Sequence, residues 1–193
     1  MIKKNLILYY PSFEKGGVEE NIKNLINNLH NNFKIFLITS LTPKESKKIF
    51  KKNCKILKIE KSKYLSFLPD RFNSALVSMI TLFKLLNSVK HNLVVHSMQS
   101  NIAAIIICLI KNVKIVIRNS EDPISSTFHS ENLFTSTFVF FLKFIFYNLC
   151  DSIITNSEGS RKSLGYFVIN KNKIKTIYNP YLKNINSKNF KKK

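Results

Sequence analysis

The chain has 193 residues, of which 45% are hydrophobic, and this is the size and apolar content of one globular domain with its own core. Its 31 basic and 11 acidic residues give a formal net charge of +20, which favours anionic partners (nucleic acid, anionic lipid or phosphorylated substrates), although abundant Lys, Asn, Ile and Phe are also expected of an AT-rich genome. The three cysteines are far apart with no CxxC pair, and no apolar run suits a signal peptide or the roughly 18–20 residues of a spanning helix, so the sequence predicts no disulfide framework, zinc site or membrane span.

Short apolar runs alternate with longer amphipathic segments along the chain. The runs have the length of buried strands and are residues 6–10, 34–39, 55–59, 93–96, 114–117, 152–155 and 175–178. Helical spacing of apolar residues is found in 18–29, 72–89, 102–110, 135–149 and 157–166, with 44–52 as a short polar helix or loop. The segment 118–132 is predicted to be a long polar loop, and 102–110 is apolar enough to be buried on most sides.

The first strand leads into a glycine turn. Gly16 and Gly17 follow a polar loop and precede the first helical pattern. Glycine permits unusual dihedral angles and close approach of a ligand, and the free N–H groups of a helix start favour an anion such as phosphate. The spacing is not GxGxxG, which disfavours a dinucleotide site, and a tight turn without a ligand is the alternative.

Alternation of strands and helices predicts an α/β domain: a Rossmann-like, doubly wound parallel sheet of about six to seven strands. Continuously apolar strands agree with burial on both faces, and 55–59 is expected near an edge. With the strand order 3-2-1-4-5-6, the loops after strands one, four and five meet at the carboxyl edge. We therefore expect one shared cleft there, lined by Gly16, Gly17, His96, Arg118, Asn119 and Glu121.

Four segments resemble a known family. They are GGVE from Gly16, VVHSMQSNIAAIIICLI from Val94, CDSIITNSEGSRKSL from Cys150 and IKTIYNP from Ile174. In them the chain resembles the N-terminal domain of family 4 glycosyltransferases over residues 1–182, which leaves 183–193 as a basic tail at the start of a linker.

The resemblance implies a retaining, metal-independent transferase of the GT-B fold, in which two Rossmann-like domains face each other across a cleft. In that family the C-terminal domain holds most of the nucleotide sugar through a basic pair and a Glu-x7-Glu element, and nothing in this sequence is similar to them. The resemblance thus implies an acceptor-side half (a fragment, a truncated gene or one subunit of a split enzyme) that is inactive alone. It also implies no cofactor and no metal.

The loop after the fifth strand departs from the family pattern. Many relatives carry a His there, whereas this chain reads RNSEDP from Arg118. A similar loop occurs in members that extend lipid-linked or surface oligosaccharides. This resemblance implies a glycan or polyprenyl-phosphate-linked acceptor in surface polysaccharide or lipopolysaccharide biosynthesis.

The candidate catalytic residues are His96, Asn119 and Glu121, since each follows or ends a strand and can hydrogen-bond a sugar or acceptor hydroxyl. For His96, the alternative is a structural hydrogen bond. The Gly16 and Gly17 backbone is expected at the donor diphosphate, whose charge as a leaving group needs stabilisation.

Further substrate-binding candidates are polar residues at strand ends. Arg118 suits bidentate pairing with an acceptor phosphate, and its alternative is an ion pair with an acid of the same loop. Ser120 belongs to that loop. Ser157 and Glu158 are candidates too, with capping of the next helix as the alternative.

The aromatic-rich segment 135–149 is expected to pack in the core, and with the overall charge it also suits contact with an anionic membrane surface. The expected location is the cytoplasm, with peripheral attachment to the inner face of the plasma membrane as the alternative. Rival functions are half of a nucleotide-sugar epimerase and a non-catalytic acceptor- or membrane-binding subunit. Specific nucleic-acid binding is disfavoured, because the lysines are spread along the chain and no recognition motif is present.

Overall fold

The computed structural model describes residues 4–12, 17–42, 45, 50, 54–60, 62–65, 67, 70–89, 93–128 and 133–179. The predictions for Gly16, for most of 44–52 and for the tail 183–193 lie outside these residues. Within them, strands and helices alternate as the sequence predicts.

One parallel sheet forms the centre of the domain. Its strands are β1 (Lys4–Tyr9), β2 (Phe33–Thr39), β3 (Lys55–Lys58), β4 (Leu93–Ser97), β5 (Lys114–Asn119), β6 (Ser152–Thr155) and β7 (Ile174–Thr176). They lie in the order β3-β2-β1-β4-β5-β6-β7, and each pairs in parallel with its neighbours. The predicted fold class, the order of the first six strands and the edge position of the third are confirmed.

Helices cover both faces of the sheet. They are α1 (Gly17–Leu29), α2 (Asp70–Ser88), α3 (Asn101–Ile110), α4 (Pro123–Phe128), α5 (Leu133–Leu149) and α6 (Glu158–Leu164). Single 3-10 turns occur at Lys63–Leu65 and Lys171–Lys173.

Side chains of β1 alternate between two hydrophobic cores. Leu6 and Leu8 face α1 and pack with Ile22 and Ile26. Ile7 and Tyr9 belong to the larger core on the other face, whose helical members include Leu82 of α2, Ile105 of α3, Tyr147 of α5 and Leu164 of α6. Burial of both faces explains why the strands are apolar without alternation.

The segment 118–132 is not one long loop, so that prediction is wrong. Arg118 and Asn119 pair with β6 and end strand β5, and α4 begins at Pro123. The Asp122 carboxylate accepts hydrogen bonds from the Ile124 amide at 3.2 Å and the Ser125 hydroxyl at 2.9 Å. A carboxylate before Pro is a typical helix start, because it satisfies a free amide while Pro lacks one.

The expectation for α3 is only partly correct. Ala104, Ile105 and Cys108 are fully buried, but Leu109 is 45% and Ile110 64% exposed, since the outer side of a helix layer faces solvent. Among the residues described, no helix combines the length and apolarity that crossing a membrane requires.

Candidate functional site

A cleft of about 740 Å³ opens at the carboxyl edge of the sheet. Gly17 and Val18, at the start of α1, line one part of it. Residues 98–103, which join β4 to the first turn of α3, line another, and residues 118–121, at the end of β5 and just beyond it, complete the polar part. The strand order explains the arrangement, because β1, β4 and β5 are adjacent and end at the same edge.

Hydrogen bonds between loops hold this edge together. The Gln99 side chain accepts from the Ser12 amide at 2.7 Å and so ties the loop after β1 to the loop after β4. Asn101 accepts from the Ser97 hydroxyl at 2.7 Å and donates to the Arg118 carbonyl at 3.1 Å, which joins β4 to β5. The cleft is thus preorganised by amide side chains at strand ends.

Arg118 is a buried cation, only 7% exposed, that lines the cleft. One guanidinium nitrogen donates to the Asn179 side-chain oxygen and, at 3.4 Å, to the Ile177 carbonyl, while the buried Nε has no hydrogen-bond partner in the described part of the chain. Among the described residues it forms no ion pair with Glu121 or Asp122, so the expected alternative to ligand binding is wrong. Burial lowers its pKa, and an anion in the cleft would offset that cost.

Asn179 connects Arg118 to the opposite wall of the cleft. Its side-chain oxygen also accepts from the Asn21 amide of α1 at 2.9 Å. The segment that leaves β7 therefore crosses between α1 and β5 beside the cleft. Sequence reasoning assigned no role to Asn21 or Asn179, because their pairing joins residues 158 positions apart.

His96 is 8% exposed and does not line the cleft, contrary to its expected position. Strand β4 continues to Ser97, so His96 lies within the sheet, and its Nδ1 is 3.2 Å from the Val116 carbonyl. Burial lowers the pKa of His96 to about 4, and the nearby positive charge of Arg118 acts in the same direction. The imidazole is therefore neutral at pH 7.

Asn119, Ser120 and Glu121 line the cleft together. The Asn119 amide donates to the Glu121 carbonyl, and its oxygen accepts from the Tyr147 hydroxyl at 3.3 Å. The Ser120 hydroxyl is buried and has no partner among the residues described, while its carbonyl accepts from Asn156 at 2.9 Å. The loop is held by its backbone, which leaves the Glu121 carboxylate as an acceptor at the cleft.

Gly17 also lies in the cleft, and its φ is not positive. The unusual dihedral expected of this glycine is therefore absent. What its missing side chain provides is open space at the helix start, beside amides that have no partner within the helix.

Ser157 and Glu158 are not among the cleft residues. The Ser157 hydroxyl accepts from the Ser160 amide at 3.1 Å and caps α6, and Glu158 pairs with Arg161 at 3.5 Å. Both contacts are local to the first turn of α6.

Lys143 lines the cleft but is not among the site residues expected from the sequence. Its ammonium donates to the Ser126 hydroxyl at 2.9 Å, the Thr127 hydroxyl at 2.8 Å and the Pro123 carbonyl at 3.3 Å. It fastens α4 to α5 and so shapes the outer wall. A single charge in an otherwise apolar helix was the available signal.

Metal-binding groups are sparse in the part of the chain that is described. It contains no cluster of three or more His, Cys, Asp or Glu side chains able to hold an ion. The three cysteines are free, and burial raises the thiol pKa of Cys54 and Cys150 to about 11 and of Cys108 to about 12. The thiols are thus protonated at neutral pH and poor nucleophiles.

Several solved structures share this fold. The chain is similar to HepE of Anabaena in complex with UDP, with 13% identity and a TM-score of 0.61 over 91% of this chain and 44% of that one. Sucrose-phosphate synthase from Thermosynechococcus elongatus is 11% identical, with a TM-score of 0.63 over 91% and 48%. A UDP-GlcNAc 2-epimerase from Neisseria meningitidis, bound to UDP-GlcNAc, is 12% identical, with a TM-score of 0.60 over 90% and 45%.

Sequence comparison identifies the family. No curated protein matches the chain significantly. The solved structures, at these identities, establish the shared fold, and the chain spans less than half of their length. The model of Glycosyltransferase Family 4, in contrast, matches residues 15–181. The chain therefore belongs to Glycosyltransferase Family 4 and has the Rossmann-like fold of one half of a GT-B glycosyltransferase.

Proposed function

We propose that this domain is the acceptor-side half of a retaining glycosyltransferase that moves a sugar from a nucleotide-sugar donor to a phosphate-linked glycan acceptor. One observation carries the proposal. The cleft brings the free amides at the start of α1 and the buried cation of Arg118 to the same edge of the sheet. Both groups favour negative charge. The donor of the reaction carries a diphosphate, and a lipid-linked acceptor carries phosphate as well.

The donor approaches the start of α1 in this proposal. The Gly17 backbone meets the diphosphate, and the absence of a side chain lets the phosphate reach the amides. Such fixed donors stabilise the charge that develops on the leaving nucleoside diphosphate. Gly16, which lies outside the described residues, is assigned the same role on its sequence position alone. HepE was solved with UDP, and the chain spans 44% of it, so we assign most donor contacts to a second domain of the same fold.

The acceptor occupies the part of the cleft after β5. Arg118 pairs with its phosphate, and Glu121 accepts a hydrogen bond from the attacking hydroxyl. Asn119 acts mainly by holding the Glu121 backbone, and the Ser120 hydroxyl donates to the acceptor if the loop opens. We assign no metal and no cofactor, because phosphate charge is met by amides and Arg118.

His96, Ser157 and Glu158 are assigned supporting roles. His96, buried and neutral, joins β4 to β5 beneath the cleft. Ser157 and Glu158 stabilise the first turn of α6. A lipid-linked acceptor of surface polysaccharide or lipopolysaccharide would bring the domain to the inner face of the cytoplasmic membrane.

An epimerase half is the second candidate, since epimerases share the fold at similar TM-scores. Non-catalytic recruitment of acceptor is the third. The buried Arg118 beside the acceptor side of the cleft favours transfer, because epimerisation needs no second phosphate-bearing substrate.

The test is sugar transfer from labelled nucleotide sugars to a lipid-extract acceptor pool. We expect none with the 193-residue chain alone and transfer once a donor-binding domain is fused or supplied. The test variant is Arg118→Met, expected to abolish most transfer, and the matched control is Lys58→Met on edge strand β3, expected to have no effect. Two results would contradict the proposal: robust transfer by the chain alone, or epimerisation of the donor sugar without its transfer to an acceptor.

A further inference from the structure

The outer face of α5 is an exposed apolar stripe. Its members recur at intervals of four, three, four and four residues, which puts them on one side of the helix. They are Phe134 (80% exposed), Phe138 (57%), Phe141 (56%), Ile145 (51%) and Leu149 (49%). Lys143, the one charged residue of this 17-residue helix, points to the opposite side and bonds to α4. Packing in the hydrophobic core therefore explains only the inner face of this helix.

The stripe has the size of the apolar patches that are often functional. Five large side chains that are about half exposed leave roughly 500 Å² of apolar surface in one strip, and the largest patch on a typical soluble monomer, about 300–600 Å², is often functional. The helix is about 25 Å long, so the strip is long and narrow. Such a shape suits a helix lying in the plane of a lipid interface.

The C-terminal end of the stripe adjoins further exposed apolar side chains. Asn148 donates to the Phe167 carbonyl at 2.8 Å and accepts from the Ile169 amide at 2.8 Å, which fixes the segment after α6 against α5. In that segment Tyr166 is 72% and Ile169 74% exposed. An aromatic hydroxyl next to an apolar strip is typical of membrane–water interfaces.

Basic groups surround this end. Lys173 donates to the carbonyls of Asn148 and Cys150, both at 2.9 Å, and so lies at the end of α5. Arg161, Lys162 and Lys171 line a cavity of about 490 Å³ together with Tyr166. One acid, Glu158, faces them there and pairs with Arg161. The group is thus net positive beside an apolar strip.

We infer that the α5 stripe and this basic cavity form one docking surface for an anionic lipid membrane, with the apolar side chains in the acyl region and the cavity at the phosphate headgroups. The combination of the two features favours a membrane over other occupants. An apolar protein partner would not require the basic cavity, and a nucleic acid would not require the apolar stripe. The functional meaning of this docking surface rests on the proposed function, in which the acceptor is linked to a membrane lipid. Vesicle binding without donor or acceptor tests it separately.

The chain has no tryptophan, which permits a site-specific probe. Phe141→Trp, mixed with vesicles of phosphatidylglycerol and phosphatidylcholine, should show a blue-shifted emission that brominated lipids quench. Tyr64→Trp, at a site 94% exposed after edge strand β3, is the control and should show neither change. Equal responses of the two probes, or no response of Phe141→Trp, overturn the inference.

Cosedimentation with the same vesicles tests both parts of the surface. Phe138→Gln with Ile145→Gln should lower the partition coefficient at least about tenfold, whereas Tyr64→Gln with Phe67→Gln should leave it unchanged. Lys162→Gln with Lys171→Gln should lower it by roughly fivefold per charge, whereas Lys34→Gln with Lys55→Gln on β2 and β3 removes equal charge with little effect.

Three results would overturn the inference. The first is equal loss in both charge pairs, which would mean that net charge alone drives binding. The second is equal binding to pure phosphatidylcholine. The third is concentration-dependent dimerisation that the Phe138 and Ile145 changes abolish, which would make the stripe an interface between copies. Because the Phe141→Trp probe leaves the stripe apolar, it decides the question even if the glutamine pair fails to fold.

Discussion

Replacing Arg118 by Met should separate stability from ligand binding. The guanidinium donates to two neutral oxygens, at Asn179 and Ile177, and such charged hydrogen bonds contribute about 1.5–3 kcal/mol each when made. Burying the charge costs several kcal/mol in the opposite direction, and no carboxylate compensates it among the described residues. After the substitution the Asn179 oxygen still accepts from Asn21. We therefore expect the free energy of unfolding to change by less than about 1.5 kcal/mol.

Binding of phosphate should respond very differently. A charge-assisted contact to phosphate contributes about 2–3 kcal/mol, so kcat/KM for a phosphate-linked acceptor should fall roughly 30- to 150-fold in the fused enzyme. Urea unfolding followed by circular dichroism measures the first quantity, and steady-state transfer measures the second. Lys58→Met on edge strand β3, which removes the ion pair with the exposed Glu60, is the control and should leave both nearly unchanged. Destabilisation by more than about 3 kcal/mol with unchanged transfer would show that Arg118 is structural.

Three further predictions concern other parts of the site. Gly17→Val should lower transfer more than Gly17→Ala while both leave the unfolding midpoint similar, since the space at the helix start matters and its φ is ordinary; full activity of the valine variant would contradict the donor site. His96 should make stability fall by up to about 3 kcal/mol as pH drops from 6.5 to 4, because the unfolded chain binds the proton near 6.5 and the folded one only near its pKa of about 4. In His96→Asn that slope should largely vanish, and an unchanged slope refutes the assignment. Ser157→Ala should cost about 1 kcal/mol through the lost cap, with no change in transfer; weaker substrate binding would restore its proposed site role.

The strand-end loops show how far sequence reasoning reaches. Gly17, Arg118, Asn119 and Glu121 were expected at one edge, and the structure brings them into one cleft. Parallel strands with right-handed crossovers leave little freedom here, so position after a strand is enough. His96 was expected to end β4, but the strand continues by one residue, to Ser97. Because neighbouring side chains of a strand point to opposite faces, this one residue decides whether a side chain reaches the cleft. Strand ends are therefore predictable, while side-chain direction at those ends depends on where pairing stops.

Helix α4 was missed for a different reason. Its six residues, PISSTF, have no helical apolar period, so hydrophobic pattern could not reveal it. It forms because Asp122 and Pro123 suit a helix start and because Lys143, about 20 residues later, bonds to its carbonyl and hydroxyls. The second cause is a tertiary contact that no local window contains.

The sequence by itself determined the parallel α/β class, the family and the edge at which the polar strand-end loops meet, because hydrophobic period and strand–helix order are local properties that each segment carries alone. Only the tertiary structure decided that Arg118 is buried without an ion pair among the described residues, that Asn179 joins it to α1, and that one face of α5 is exposed. These features depend on which distant segments come into contact, because the burial and the charge pairing of a residue are set by all of its spatial neighbours. The sequence of an aromatic helix is the same whether its outer face packs in a core or is exposed. The pattern therefore predicts the apolar stripe, and only the folded structure shows that the stripe is exposed.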